Sequence, residues 1–429
     1  MYSGSVLQAS GTSGSSGTEG YTSSTGQIVS LNGGRTFVSS LSNPFPNGFN
    51  FPAGPRESAV SGANTNLGLG ISDSFFTDYR NPVIQQWNAT LQQELPGQFI
   101  IEAGYLGSKG QHLIDGENSQ TYNQLPSSFF SLGNQLQNTN QVPNPFFGII
   151  TNPTSSLSQP TVPFAQLLRP SPQYTSVNGF RKPQANSIFH SFTFRADKRY
   201  SNGLNLLLSF TAGKLIDDAS QTVTFLGAAG SKQDFYNRSA ERSVSAQDVS
   251  RRLVLSGNYE LPFGRGKSMM ASAPRAVDFV LGSWQVNGIY TFQTGTPIQI
   301  SNGANNSFLG SAGQRPNNNG KSARLDEPTM ERYFDTSVFS QAPNYTFGNV
   351  GRFLPDLRLP RQVNVDGSVF KNFRMKENVS MQFRAEAFNA ANHPTWNAPG
   401  TNVTQVSGFG VITAKGGNRQ LQLALKLLF

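Results

Sequence analysis

The sequence has no cysteine and few charged residues. Without cysteine, a disulfide framework, an iron–sulfur cluster and thiol catalysis are all excluded. Charged residues make up 13% of the 429 positions, against roughly 25% in ordinary soluble domains. Hydrophobic residues are also scarce, at 36%. A chain poor in both classes is unusual for a packed cytosolic domain.

Long apolar segments are missing as well. No run approaches the roughly 18 apolar residues that a transmembrane helix requires. The first residues, MYSGSVLQASGTSG, lack the basic and apolar regions of a signal peptide. If the protein is exported, we therefore expect this chain to be part of a longer one, with the true N-terminus upstream of Met1.

The abundant residues are those of half-buried strands and uncharged loops. There are 33 Phe, 43 Gly and 25 Pro, together with many Asn, Gln, Ser and Thr. Residues 1–82 are rich in Gly, Ser, Thr and Asn and show no sustained period, so we predict a mostly irregular loop region there. Residues 83–429 change to alternating segments and form the second predicted unit.

Alternation of apolar and polar residues is the strand signal in this second unit. In one segment, for example, Val379, Met381 and Phe383 alternate with polar neighbours, which is typical of a strand with one apolar face. Nine such segments occur, at 83–95, 99–105, 188–200, 204–211, 251–262, 284–300, 363–373, 379–391 and 419–429.

The connections between these segments alternate in length. If the last strand ends on the periplasmic side and direction is counted backwards through the chain, the periplasmic connections are 96–97, 201–202, 263–283 and 374–378. The outside connections are 107–187, 214–250, 301–362 and 392–418. Short periplasmic turns and long extracellular loops are the rule in outer-membrane barrels. We therefore predict an all-β fold: an antiparallel transmembrane β-barrel, here partial, with about nine strands in an open curved sheet and long extracellular loops.

The two predicted faces differ in chemistry. Charged residues opposite the apolar face are expected to point into the barrel lumen: Arg195, Asp197, Glu260, Arg384 and Glu386. Aromatic residues near the predicted periplasmic strand ends are expected to form a girdle at the membrane surface: Tyr259, Trp284, Phe373 and Phe429. Two lysines, Lys198 and Lys371, share the apolar parity and are expected to reach the lipid headgroups from near the strand ends.

No catalytic, cofactor or metal site can be recognised. The three histidines, His112, His190 and His393, are far apart and lack metal-type spacing. The string GRGKS at 264–268 lacks the phosphate-loop glycine, because Leu261 stands at that position. The net charge is +9 but includes no dense basic run, so a nucleic-acid partner is not expected. We predict no cofactor, no bound metal and no enzymatic activity.

Five segments resemble a known family. They are NPVIQQWNATLQQELPGQFIIEAGYLGSKGQHL, LVLSGNYELPFGRGK, LGSWQVNGIYTFQTGTPI, FRAEAFNAANHPTWNAP and the ending FGVITAKGGNRQLQLALKLLF. In order and spacing they resemble the C-terminal barrel of Oar-like TonB-dependent receptors, which usually carry an N-terminal carboxypeptidase-regulatory-like domain. That family has a barrel of twenty-two strands around a plug, and a TonB box near the N-terminus. This chain shows about nine strands and neither of the other parts.

The resemblance implies a location, partners and a function. The location would be the outer membrane of a Gram-negative bacterium, in contact with outer-membrane lipid. The barrel assembly machinery would read the last strand through Leu423, Leu425, Leu427 and Phe429. An extracellular ligand (a carbohydrate, a peptide or a metal chelate) would be imported with energy from TonB, which acts through the missing N-terminal part.

Two other classes of protein remain open at this point. A secreted or surface β-rich adhesin would explain the Ser/Thr/Asn-rich loops, but it predicts polar outer faces and no alternation of loop length. An outer-membrane enzyme would need a Ser/His/Asp or similar cluster at one rim, and His393 has no evident partner in the sequence.

Overall fold

Nine long strands form one antiparallel sheet. The structure, a computed structural model, describes residues 30, 35–46, 48–49, 51, 67–73, 80–115, 120–153, 155–179, 183–219, 232–304, 313–376 and 379–429. The long strands are β1 Val83–Leu95, β2 Phe99–Ile114, β3 Pro183–Ser201, β4 Leu204–Asp217, β5 Arg251–Glu260, β6 Trp284–Gln293, β7 Gln362–Lys376, β8 Val379–Phe388 and β9 Gln420–Leu428. A two-residue strand, Ser243–Val244, adds to the end of β4.

The strand order follows the chain. Each long strand pairs only with the preceding and the following long strand, and all eight pairings are antiparallel. Among the described residues, the outer edges of β1 and β9 pair with no other strand, so the sheet is open. The predicted fold class is therefore confirmed: an all-β antiparallel sheet of about nine strands with long connections.

The alternation in sequence sets the register of the sheet. Leu253 pairs with Phe210 on one side and with Phe292 on the other, and Phe292 pairs in turn with Val363. A shift of one residue would move a whole strand's apolar side chains to the opposite face. The matched rows therefore create one apolar face and one polar face. The apolar face is unusually exposed, with Leu91 at 75% and Leu423 at 73%.

Short connections lie at one end of the sheet. They are 96–98, 202–203, 261–283 and 377–378, and the third contains helix α1, Arg275–Leu281. Further short helices are Ser127–Leu136, Ser156–Ser158, Phe164–Leu167, Arg238–Glu241 and Thr336–Val338. None of the helices in the described part of the chain is both long and apolar enough to span a membrane.

The described residues of the long connections at the other end fold together into what we call the loop layer (115, 120–153, 155–179, 218–219, 232–250, 294–304, 313–361 and 389–419). Their short strands pair as Gln141–Pro143 with Thr161–Pro163, Asn317–Asn318 with Phe339–Ser340, and Thr395–Trp396 with Lys415–Gly416. From the predicted irregular region, Gly70–Asp73 pairs in parallel with Ser176–Gly179, which also pairs with Gln120–Thr121. The predicted boundary at residue 82 stays a prediction, because most of 1–82 lies outside the described residues.

Some strand ends differ from their predicted positions. The segment predicted as a strand over 284–300 ends at Gln293, and Ile298 and Ile300 are buried in the loop layer instead. The chain leaves the sheet at Gly295, where a Cβ atom would lie 1.9 Å from the carbonyl oxygen of Leu359. The apolar alternation in the sequence continues beyond the end of the strand because Ile298 and Ile300 pack in a second hydrophobic core, that of the loop layer. Likewise β8 ends at Phe388 and not at Ala391.

Three hydrophobic clusters stabilise the loop layer. The largest surrounds Phe334, which has no exposed surface and whose ring centroid lies 5.2 Å from that of Phe409. A second contains Leu67 and Tyr174, and a third contains Leu136. The long connections are therefore packed structure, although the sequence pattern predicted only long loops.

Buried ion pairs link the loop layer to the strand ends. Lys232 pairs with Asp115, which directly follows β2, and Arg352 pairs with Asp217, the last residue of β4. The third pair, Arg315 with Glu241, joins two long connections.

Burial also changes the ionisation of these cations. It lowers the pKa of Lys232, and the attraction of the Asp115 carboxylate opposes that shift. Burial likewise lowers the pKa of Arg315, opposed by Glu241. Removing one member of such a pair leaves an uncompensated charge in a dry site.

We predict that Arg352→Met destabilises the loop layer by about 3–5 kcal/mol, because Asp217 loses its cation inside the protein. The measurement is the urea concentration at which a protease begins to cut the loop layer of the assembled protein. Arg332→Met is the matched control. Its exposed pair with Asp335, at 3.2 Å, is worth at most about 1 kcal/mol. Equal losses in the two variants would contradict a structural role for the buried pair.

Candidate functional site

The predicted lumen charges all lie on the polar face of the sheet, because they share one strand parity. Arg195 contacts Asp197 at 3.0 Å, and Glu260 contacts Lys267 of the adjacent connection at 2.8 Å. Arg384 lies 4.8 Å from the ring centroid of Phe370, and Glu386 follows on the same face. Whether this face lines a lumen stays a prediction, because the described sheet is open.

The predicted girdle aromatics form a sloping row that we call the aromatic belt (Tyr259, Trp284, Phe373 and Phe429). All four have the apolar parity. Going from Tyr259 on β5 to Trp284 on β6, Phe373 on β7 and Phe429 after β9, each residue lies two register positions closer to the short-connection end of the sheet than the one before. The total shift is six residues across the four strand spacings from β5 to β9. Strands tilted by about 35–45°, with spacing near 4.8 Å and a rise near 3.4 Å, require a shift of about one to one and a half residues per strand. A level belt on tilted strands has this geometry.

Lys198 and Lys371 each donate to a carbonyl oxygen of the neighbouring short connection. Lys371 is 3% exposed, and its Nζ donates to the carbonyl oxygen of Gly282 at 2.5 Å while lying 4.9 Å from the Trp284 ring centroid. Lys198 donates to the carbonyl oxygen of Gly97 at 3.2 Å. Both ammonium groups therefore lie at the short-connection end of the sheet, and their contact with lipid headgroups stays a prediction.

The last strand presents its apolar side chains along the edge of the sheet. Leu423, Leu425 and Leu427 are 73%, 69% and 56% exposed, and Phe429 is 97% exposed. In the part of the chain that the structure describes, β9 pairs only with β8. Recognition by the assembly machinery stays a prediction.

The opposite end of the apolar face carries positive charges that sequence reasoning missed. We call them the basic belt (Lys214, Arg251, Arg361 and Arg419), since each comes from a different strand or from the residue directly before one. In the register, Arg251 lies two residues closer to the short-connection end than Lys214, and Arg361 is level with Arg251. Arg419 lies four residues closer to that end than Arg361. That is six residues over five strand spacings, close to the slope of the aromatic belt. Only the register could reveal this row, because successive members are 37 to 110 residues apart in sequence.

The two belts frame an apolar band of defined height. The belts are eight residues apart on β5 (Arg251 to Tyr259), twelve on β7 (Arg361 to Phe373) and ten on β9 (Arg419 to Phe429), on average roughly 34 Å of strand at a rise of about 3.4 Å per residue. If the strands tilt by about 45°, this length of strand corresponds to a distance of roughly 24 Å between the two belts, measured within the sheet and perpendicular to them. Outer-membrane barrels have an outward apolar band of about 25 Å.

An aromatic cluster also lies near the basic belt, on β1 to β3. The Tyr105 hydroxyl is 2.7 Å from Nδ1 of His190, and the indole of Trp87 donates to the same hydroxyl at 3.4 Å. Gly107 makes room for this cluster, since a Cβ there would lie 2.2 Å from the Trp87 ring. His190 lies at the start of the segment predicted as a strand over 188–200, but the sequence did not identify its partners.

A cleft lies beside the basic belt. We call it the arginine cleft; its volume is about 790 Å³, and it is bordered by β5, β6 and the connections 294–361 and 389–419. Its charged and aromatic lining consists of Arg251, Arg324, Arg358, Arg361, His393, Asp326, Asp356, Phe292, Tyr333 and Trp396. Four prolines complete its walls: Pro328, Pro355, Pro360 and Pro394.

Hydrogen bonds fix one side of this cleft. Arg358 contacts Asp248 at 2.5 Å, and the Tyr333 hydroxyl donates to the Arg358 carbonyl oxygen at 2.8 Å. Burial raises the pKa of Tyr333 to about 12, a shift that the Arg361 charge opposes. The phenol therefore stays protonated at physiological pH and keeps its donor role.

The histidines are not brought together. His190 belongs to the aromatic cluster, His393 lines the arginine cleft, and His112 lies in β2 with a φ of 54°. The described residues include no group of three or more His, Asp or Glu side chains that could hold a metal ion.

Comparison with solved structures finds similar chains among outer-membrane proteins. One is the outer membrane transporter YddB from Escherichia coli (11% identity, TM-score 0.39, 84% of this chain and 34% of that chain). Another is the ferripyoverdine receptor of Pseudomonas aeruginosa (10%, 0.34, 87% and 29%). A third is the FrpB iron transporter from Neisseria meningitidis (10%, 0.33, 84% and 32%). The present chain thus spans about a third of the length of each, and likeness at this level does not identify a ligand.

The family follows from the sequence profile. No curated protein matches the chain. Residues 3–422 match the outer membrane beta barrel domain family. With nearly the whole sequence covered, the chain belongs to the outer membrane β-barrel domain family and is a protein of the outer membrane.

Proposed function

We propose that this chain is the C-terminal barrel part of a TonB-dependent receptor that binds a ligand outside the cell and imports it. The observation that carries this proposal is the loop layer. A simple pore does not need four long connections that are packed around three hydrophobic clusters and joined to the strand ends by buried ion pairs. A receptor does, because a prearranged binding surface loses less entropy when the ligand binds.

The alternation of connection length supports the orientation. Bacterial outer-membrane barrels have short periplasmic turns and long extracellular loops, which assigns the loop layer to the outside and α1 to the periplasm. The apolar face would then contact lipid, and the polar face with Arg195 and Glu386 would line the lumen. Both sheet edges are unpaired in the described part, which is compatible with the barrel of twenty-two strands that the resemblance implies.

The energy source is proposed from the resemblance of the five sequence segments. Ligand binding outside would be followed by displacement of a plug, driven by TonB from the periplasm. Because that energy comes from the inner membrane, the proposal requires no nucleotide site in this chain.

The two faces can be tested with introduced thiols, since the chain has no cysteine of its own. We predict that a water-soluble maleimide labels Gln422→Cys at least tenfold faster than Leu423→Cys in outer membranes. The two positions are neighbours on β9 with opposite parity, so they serve as matched controls for each other. Equal labelling would contradict a lipid-facing apolar side.

The terminal aromatic residue can be tested in the complete protein that contains this chain. We predict that deleting Phe429 greatly lowers the amount of protein recovered in the outer membrane as a heat-shifted band. An edge strand that ends in an aromatic residue is suited to pairing with another strand. Gln422→Ala, on the polar face of the same strand, should leave recovery unchanged. If the protein is instead recovered in soluble, secreted form, and if deleting Phe429 does not change that recovery, the result would favour a surface adhesin.

Dependence on TonB has a direct binding test. We predict that the immobilised periplasmic domain of TonB retains the detergent-solubilised complete protein, and that an excess of a peptide from its N-terminal TonB box releases it. A barrel that assembles normally and is not retained would contradict import driven by TonB.

A further inference from the structure

The arginine cleft lies on the wrong side of the sheet for an imported ligand. Its strand-derived lining residues, Arg251 and Phe292, both have the apolar parity. A ligand destined for the lumen must reach the polar face, which is opposite. The occupant of this cleft is therefore expected to come from the surroundings of the barrel.

The cleft lining carries more positive than negative charge, with four arginines against the carboxylates of Asp326 and Asp356. Arg358 is paired with Asp248, but none of Arg251, Arg324 and Arg361 forms an ion pair with a described carboxylate. All three are exposed. Of the two carboxylates in the lining, Asp356 accepts a hydrogen bond from Ser322 at 2.5 Å. An excess of unpaired guanidinium groups in a concave site indicates an anionic ligand, and the planar donor set of arginine suits phosphate oxygens.

The level of the cleft indicates the source of that anion. Arg251 and Arg361 belong to the basic belt, which lies roughly 24 Å above the aromatic belt across the apolar face. This distance matches the apolar band of an outer-membrane barrel, so the belt lies where lipid headgroups meet the hydrocarbon. Basic pockets between transmembrane helices bind phosphorylated lipid headgroups, and the same electrostatic argument applies to a basic cleft at this level.

The apolar walls fit a lipid better than a small ion. Phe292 points from β6 toward the apolar band, and the rings of Tyr333 and Trp396 lie 6.5 Å apart on the loop side. A free phosphate would leave these surfaces uncovered, whereas a headgroup continuing into acyl chains would cover them.

We propose that the arginine cleft binds the phosphate group of an anionic lipid headgroup in the leaflet that surrounds the long-connection end of the barrel, with Arg251, Arg324 and Arg361 as its ligands. The site rests on the orientation proposed above for its assignment to the outer leaflet, but not on import or on TonB. Its role is to fasten the loop layer to the membrane surface beside the barrel.

The test is lipid binding by the complete protein in neutral detergent, with native mass spectrometry as the readout. The probes are short-chain phosphatidylglycerol, phosphatidylcholine of the same chain length, and water-soluble glycerol phosphate. We expect phosphatidylglycerol to bind at least tenfold more tightly than phosphatidylcholine, and glycerol phosphate not to displace it at equal concentration.

Charge-matched variants separate a site from general attraction. The triple variant R251A/R324A/R361A should weaken phosphatidylglycerol binding at least tenfold. The control triple variant K321A/R332A/K415A removes three exposed charges of the same connections outside the cleft, and it should change binding less than twofold. The single variant R251Q is a milder change that serves as the test if the triple variant fails to assemble. We expect R251Q to weaken phosphatidylglycerol binding several-fold.

Three outcomes would overturn the proposal. Equal weakening by the two triple variants would mean nonspecific attraction between a basic protein and an anionic lipid. Displacement by glycerol phosphate would indicate a site for a free phosphate compound. Full binding by R251Q and by the cleft triple variant would exclude these arginines. None of these results bears on capture by TonB, so failure here and failure of the proposed function are distinguishable.

Discussion

The structure depends on keeping a two-residue period in register across nine strands. In an apolar environment each backbone N–H and C=O must be satisfied by a neighbouring strand, since water is absent. Pairing every long strand with its sequence neighbours achieves this with short turns at one end. The same register collects Phe210, Leu253, Phe292 and Val363 into one apolar row. A slip in any one strand would place polar side chains in that row.

A second constraint acts where the sheet meets the loop layer. Long connections lose much conformational entropy when they are ordered, so they need compensating contacts. Three hydrophobic clusters provide burial, and the buried pairs of Lys232, Arg315 and Arg352 limit how the connections can be arranged. Because an unpaired buried charge is costly, each pair favours one docking geometry over its alternatives. The arginine cleft lies against this layer, and its walls have defined positions for that reason.

The tilt of the strands connects the two belts. A horizontal ring of side chains on tilted strands must shift along the register from strand to strand, and both the aromatic and the basic belt do so with nearly the same slope. Two independent rows with the same slope are difficult to explain on a flat or untilted sheet. The band between them contains the exposed leucines of β9, and its height is that of an outer-membrane barrel's apolar surface.

The sequence by itself determined the local pattern of this protein, because alternation reports which residues share a face. It predicted all nine long strands, the short and long connections, the apolar row of Leu423, Leu425 and Leu427, and the shared face of Arg195 and Arg384. Only the tertiary structure decided what depends on contacts between distant segments. Ile298 and Ile300 continued the alternating pattern but pack in a second core, and Lys371 is satisfied by a carbonyl of a neighbouring connection. The arginine cleft could not be predicted, because the register and the folded connections bring Arg251, Arg324 and Arg361 together from segments that carry no shared motif.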